Sequence, residues 1–365
     1  MDPDATAARD LLDGARNLVR YAEIRAGHEV LIHLEPQYDH PGMIDALTRA
    51  VAEVNARPYV LRTPWWSKPD SAPPRVVEAA LHGADFLIGQ GEYLYTKNHY
   101  IQEAMFERGL VYIENEAKTP EALSSIYGRY PAEVLFAIGT AVLERIAKAR
   151  DIRVTTAAGT DLRMRVRPET VGGYCYPYHH DAPGYKKGFP GGTACFHPED
   201  PVDGVLMAEA FASFLPAPKY VLQPPLRLVY RDHRATEIDG DGAEWVKDLW
   251  ARRGDGNATW LAECMFGVHP KAGRRGSRAA SNPHLLHFGL GNSIPYGGPT
   301  HSKTWVVLFV QDATLMLDGE PLLDRGRLTV LDDPRVRDAA ARCGDPSLLD
   351  QDPATLADLF MPETL

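Results

Sequence analysis

The first third of the chain alternates between two hydrophobic periods. Glu29-Val30-Leu31-Ile32-His33-Leu34 is a short apolar run of the kind a buried strand needs, and from Gly42 to Val54 the positions Met43, Leu47, Ala50 and Val54 share one helix face. Tyr59-Val60-Leu61 predicts a second strand, Arg75 to Leu81 a helix, and Asp85-Phe86-Leu87-Ile88-Gly89 a third strand. Tyr100 to Glu107 and Leu110 to Glu114 add a further helix and strand. Strands alternating with helices imply a parallel sheet covered by helices, with working residues at the carboxyl ends of the strands. No GxGxxG follows the first strand, so dinucleotide binding has no support in the pattern.

Ala132 to Ala149 predicts a long helix that ends the first domain. The period then changes to two. Asp151 to Thr156 and Leu162 to Val166 alternate around Ala157-Ala158-Gly159-Thr160-Asp161, which is a hairpin signal. Residues 168–204, rich in Gly, Pro, Tyr and His, read as a long ordered loop. Leu226 to Tyr230, Val306 to Val310 and Thr314 to Leu317 predict more strands. The expected architecture is an α/β domain with a parallel sheet over residues 1–150 and a β-rich, α+β domain over 151–365 that carries the site.

Composition narrows the function classes. At 365 residues, 44% hydrophobic and 24% charged, the chain reads as an ordinary globular protein with room for two domains. A net charge of -10 argues against nucleic acid as a partner, because phosphates require a basic surface. The short cluster Lys271, Arg274, Arg275 and Arg278 is either a solvated loop or an anion clamp. Met1-Asp2-Pro3-Asp4 is acidic and lacks an apolar run, so no secretory signal is expected, and no window reaches the roughly 18 apolar residues of a membrane span. Cys175, Cys195, Cys264 and Cys343 are scattered without a CxxC pair, which fits reduced thiols in the cytoplasm.

The chemistry-bearing residues concentrate in the second half. His179, His180, His197, His269, His284, His287 and His301, with Glu199 and Glu263 among them, are residue types that suit a divalent metal such as Zn, Fe or Mn. HExxH spacing is absent, and the same histidines also serve as turn caps and polar fillers. The segment His287-Phe288-Gly289-Leu290-Gly291-Asn292, followed by Gly297-Gly298 and the strand-like Lys303 to Val310, suits a side chain carried to the rim of a pocket.

Several segments occur in a telling order. They are Gly159-Thr160-Asp161-Leu162, Pro190-Gly191-Gly192 leading to Pro198-Glu199-Asp200, Ala262-Glu263-Cys264, His287 to Asn292, and Asp312-Ala313-Thr314-Leu315 before Leu317-Asp318-Gly319. With the α/β start, the chain resembles the superfamily of thermophilic aminopeptidases (aminopeptidase T-like) and 2,5-dihydroxypyridine 5,6-dioxygenases from about Ala22 to Leu328. In the aminopeptidase branch the resemblance implies a metal held from five positions. Glu263 and His287 match two of them; Thr193 stands where a Glu is expected, and Trp305 and Val307 stand where a His-x-Asp is expected. The dioxygenase branch implies a facial two-histidine, one-carboxylate iron site that draws on the same His-x-Asp. His301 and Lys303 fit that pair only with an insertion in the following strand. The site is therefore either rebuilt from His269, His287 and His301 or free of metal, and the expected cofactor is none, with Fe or Zn as the alternative.

Other candidates stand beside these. His99 sits where the third strand hands over to a helix, and the dioxygenase branch implies a basic histidine there, so it is an acid–base candidate or a helix-start polar residue. Tyr174, Tyr176, Tyr178, His179 and His180 line an aromatic pocket or staple a loop. Lys303, Lys271 and Arg274 are candidates for holding an anionic group, and Trp65-Trp66 for packing or an interface. Three readings follow. One is a metal-free enzyme using Glu263, His287, His99 and His301 for elimination, cyclisation or hydrolysis of a small anionic metabolite. The others are a metal-dependent ring-cleaving dioxygenase or aminopeptidase with relocated ligands, and a non-catalytic binding or partner subunit. The resemblance also implies a homodimer or larger complex.

Overall fold

The computed structural model describes residues 3–63, 71–91, 98–166, 171–174, 186–213, 220–273, 279–294 and 298–353. It divides into two compact units, Met1–Phe136 with Cys175–Gly191, and Ala137–Tyr174 with Gly192–Leu365. In chain order the first elements are α1 (Pro3–Ala22), β1 (Glu29–Leu34), α2 (Pro41–Glu53), β2 (Arg57–Arg62), α3 (Arg75–Gly83), β3 (Phe86–Gln90), α4 (His99–Arg108), β4 (Val111–Asn115), α5 (Pro120–Ser124) and α6 (Ala132–Lys148). There follow β5 (Asp151–Thr155), β6 (Asp161–Arg165), β7 (Val171–Tyr174), β8 (Lys186–Phe189), β9 (Thr193–Phe196), β10 (Glu199–Ser213), β11 (Tyr220–Arg231) and β12 (Arg234–Asp239). The chain continues through α7 (Ala243–Arg253), β13 (Leu261–Gly267), β14 (Leu285–Gly291), β15 (Trp305–Gln311), β16 (Thr314–Leu317), β17 (Glu320–Asp324), β18 (Arg327–Leu328) and α8 (Pro334–Arg342). Among the described residues no helix is long and apolar enough to cross a membrane.

The first unit is the expected parallel sheet covered by helices. Its order is β2-β1-β3-β4-β8, and each neighbouring pair is parallel. Leu31, Leu87 and Tyr112 cover one face and pack with Val77 and Leu81 of α3 and Ile101 and Met105 of α4. Helix boundaries follow local chemistry. Pro41 opens α2, the Asn98 side chain accepts from the Tyr100 and Ile101 N–H groups at the start of α4, and Gly109, at φ 76°, ends it. The chain leaves β1 toward β2 and returns on the other side as β3, so the direction of winding reverses between β1 and β3.

The second unit is antiparallel throughout its described pairings. Its order is β18-β17-β16-β5-β6-β10-β15-β14-β13-β9-β7, with β11 also on β10 and β12 on β11. The β5–β6 hairpin turns where the alternation predicted, and Gly159 at φ +106° supplies the positive dihedral of that turn.

Two expectations are corrected. Residues 168–204 are not one loop, since they contain β7, β8, β9 and the start of β10. Nor does all of 151–365 belong to the second domain. β8 pairs with β4 (Tyr112↔Lys186, Asn115↔Phe189), extending the parallel sheet past an edge that β4 would otherwise leave open. Phe189 is fully buried there, edge-on to Tyr21 at 5.5 Å.

Candidate functional site

β15, β14, β13 and β9 lie side by side, and their register decides which side chains meet. His287 pairs with Met265 and Phe309, and Gly289 pairs with Glu263 and Val307. Gly291 pairs with Trp305, Met265 with Cys195, and Gly267 with Thr193. Because side chains alternate along a strand, Thr193, Glu263, His287, Trp305 and Val307 share one face of this sheet. His287 to Gly291 therefore belong to the body of β14.

Glu263 and His287 are both buried. Gly289 makes room for the carboxylate: a Cβ there would lie 2.8 Å from Glu263 Cδ and 2.9 Å from its Cγ. On the β15 side the neighbours are hydrocarbon. The His287 ring meets Phe309 edge-on at 5.3 Å, and Val307 packs with Ala210, Leu285 and Phe309. On the β9 side stand Cys195 and His197, with Cys195 Sγ 3.9 Å from His197 Nε2. The His197 Nδ1–H donates to the Ala262 carbonyl at 3.0 Å, because a carbonyl oxygen can only accept. Burial, and then the Glu263 charge, push the Cys195 thiol well above its ordinary pKa, so it is a protonated neighbour and not a nucleophile at neutral pH.

The family resemblance implies a metal, and the donors on this face can be tested against one. A catalytic site usually takes three protein ligands. Glu263 and His287 are suitable. The Thr193 hydroxyl instead donates to the Ala280 carbonyl at 3.5 Å, an indole N–H has no lone pair for a cation, and Val307 is hydrocarbon. Among the described residues no group of three or more His, Cys, Asp or Glu is arranged to hold a metal ion. These residues do not fit the family's metal.

The remaining candidates scatter. His99 is the exposed first residue of α4, its ring 3.9 Å from that of Tyr100. His301 is exposed on the loop before β15, not on the buried face of Glu263 and His287. The Asp255 carboxylate fixes that loop by accepting from the Lys303 and Asn257 main-chain N–H groups at 2.7 and 2.9 Å, while the Asn257 side chain donates to the His301 carbonyl. The Lys303 side chain is exposed. The Lys271 ammonium lies 3.3 Å from Asp352 Oδ1, which ties it to the segment after α8. The side chain of Tyr174, together with Tyr176, Tyr178, His179, His180, Arg274 and Trp65-Trp66, lies outside the described residues. The neighbours that sequence reasoning missed are Cys195 and Gly289. The spacing Thr193-x-Cys195-x-His197, with period two, was the available signal for the first.

Comparison with known proteins places this geometry. No curated protein sequence matches the chain. The solved structure of 2,5-dihydroxypyridine dioxygenase from Pseudomonas putida KT2440 is similar in fold, with a TM-score of 0.67 and 17% identity, covering 90% of this chain and 99% of that one. The family model NicX, 2,5-dihydroxypyridine 5,6-dioxygenase, matches residues 10–330, from α1 to the turn after β18. By that match across both units, the chain belongs to the 2,5-dihydroxypyridine 5,6-dioxygenase family.

Proposed function

We propose that this chain is an enzyme of small-molecule metabolism that uses its dioxygenase-like scaffold for metal-free acid–base chemistry at Glu263 and His287. The observation that carries the reading is that those two side chains share one buried face, on adjacent strands, whose next strand offers Val307 and Phe309. A carboxylate and an imidazole on adjacent strands suit removal of a proton and its return to another atom of the same molecule. The hydrocarbon flank suits the face of a planar ring. Elimination, cyclisation or hydrolysis of a small hydroxylated ring compound are the reactions this set supports, in a protein we expect to be a cytoplasmic homodimer or larger complex.

The family match favours a second reading, a metal-dependent ring-cleaving dioxygenase. It requires donors beyond the described Glu263 and His287. One experiment separates the two. Protein purified without chelator is analysed for metals, then incubated with 2,5-dihydroxypyridine in deuterated buffer while oxygen uptake and ring hydrogen exchange are followed. The expected result is substoichiometric metal and ring exchange that requires Glu263, without oxygen uptake. Stoichiometric iron with oxygen uptake dependent on Glu263 and His287 establishes the second reading instead.

A further inference from the structure

At the carboxyl edge of the first unit's sheet the side chains turn polar within a residue or two. His33 and Glu35 stand at the end of β1, Gln90 at the end of β3, and Glu114, Asn115 and Glu116 at the end of β4, each no more than 4% exposed. Gln90 pairs with Leu34, and the Gly89↔Glu114 register continued by one residue sets Asn115 on its other side. Strand alternation puts Gln90 and Asn115 on the same face as Ile88 and Ile113. Both amide atoms of Gln90, Nε2 and Oε1, and the Nδ2 of Asn115 are buried without a hydrogen-bond partner. The other Asn115 atom is engaged, with Oδ1 accepting from the Ala117 N–H at 3.1 Å. Buried amides left unpaired are unfavourable and uncommon in folded proteins, and here two adjacent ones occur together.

Their location is an independent observation. The sheet order reverses between β1 and β3, and open α/β sheets receive ligands in the crevice beyond the strand ends at that point. The main chain there is already closed, since the Glu35 N–H donates to the Gln90 carbonyl at 3.0 Å. What is left to bond is side-chain amide.

We propose that this edge binds a small neutral ligand through a primary amide or lactam, received by the Gln90 carboxamide with Asn115 Nδ2 as a further donor. Gln90 offers a donor and an acceptor from one planar group, and the complement is an acceptor beside a donor, as another amide presents. Asn115 then donates to the second lone pair of the ligand carbonyl. A carboxylate fits worse, because it has no hydrogen to give Gln90 Oε1. The site belongs to the first unit and uses neither Glu263 nor His287, so it stands apart from the proposed chemistry.

Benzamide and benzoate, equal in shape and different in charge and donor, test the proposal by titration of the full chain. Benzamide is expected to bind saturably and about tenfold more tightly than benzoate. Gln90→Met is expected to lose about tenfold in benzamide affinity while its Tm rises, because methionine buries no unpaired amide. If that variant fails to fold, Gln90→Glu is read instead, with the same loss expected. Glu263→Gln is expected to leave benzamide affinity unchanged. The proposal is overturned if benzamide does not saturate, if benzoate binds equally well, if the Gln90 variants keep full affinity, or if Glu263→Gln is the variant that loses it.

Discussion

In the first unit's sheet β1, β3 and β4 turn polar toward their carboxyl ends, whereas the antiparallel sheet of the second carries Glu263 and His287 in mid-strand. In the first, polar side chains emerge where the helical cover runs out, and a small error in register leaves them near the same edge. In the second, a slip of one residue would turn Glu263 and His287 to the opposite face and bring Cys264 and Phe288 in their place. The mid-strand pair is therefore held by register, by the glycine at 289, and by the closely packed strands on either side. Position along a strand separates a ligand-receiving edge from a site that needs the whole sheet to be correct.

The largest effect is expected at the mid-strand carboxylate. Glu263→Gln keeps size and removes the base, so turnover of the identified substrate should fall by about 10²–10⁴, equivalent to about 3–5 kcal/mol of transition-state stabilisation. Steady-state rates beside thermal melting read this directly. Near-normal turnover in a folded variant would move the chemistry off this face and erase the contrast between the two sheets.

His33 sharpens the other side of the comparison. Burial lowers its pKa from 6.5 to about 4. The folded state thus holds it neutral while the unfolded state takes up a proton as pH falls below 6.5. Stability from this group is constant above that value, declines as pH falls, and levels off once the folded form also titrates near pH 4. At roughly 1.4 kcal/mol per pH unit, the window carries about 3 kcal/mol. Urea melts of wild type and His33→Gln at pH 7 and pH 4 should show the variant losing about 3 kcal/mol less. Equal losses would mean the strand end is wetter than its burial indicates.

Gly289→Ala addresses the room left for the carboxylate. The added Cβ lies 2.8 Å from Glu263 Cδ, an overpacking expected to destabilise by about 1–3 kcal/mol. In Glu263→Ala the conflict disappears, so the double variant should be more stable than the two single effects predict. Strict additivity in the double-mutant cycle would show that Gly289 serves the strand and not the carboxylate.

The legible and illegible parts of the sequence divide along the same line. Thr314–Leu317 and the parallel strands β1 to β4 carry their own apolar signal, and the observed elements fall within a residue or two of the pattern. α1 carries the stripe Ala15, Leu18, Val19 and Ala22, but Arg9, Asp10, Asp13, Arg16 and Arg20 mask it by density of charge. β7, β8 and β9 were illegible for a different reason. Their short, Gly- and Pro-rich segments become strands only by pairing with distant partners, Val171 with Phe196 and Lys186 with Tyr112. At the site, Glu263 and His287 came from ordered motifs, while the exposed position of His301 depends on Asp255, far along the chain.

The smallest effect is expected on the outer face of the β5–β6 hairpin. Arg153 meets Asp161 through two hydrogen bonds of 2.8 and 2.7 Å. The Arg153 hydrogen bond lowers the Asp161 pKa below its ordinary 3.8, so any stability from the pair is present above that pH and is lost as pH falls through the lowered value. Both side chains are nearly half exposed, at 48% and 46%, and water screens what the geometry offers. Asp161→Asn should therefore move Tm by no more than about 2 °C at pH 7, and by less in high salt. A larger, salt-insensitive drop would show that this hairpin is held by its charges, and that burial is not what separates the contacts that matter from those that do not.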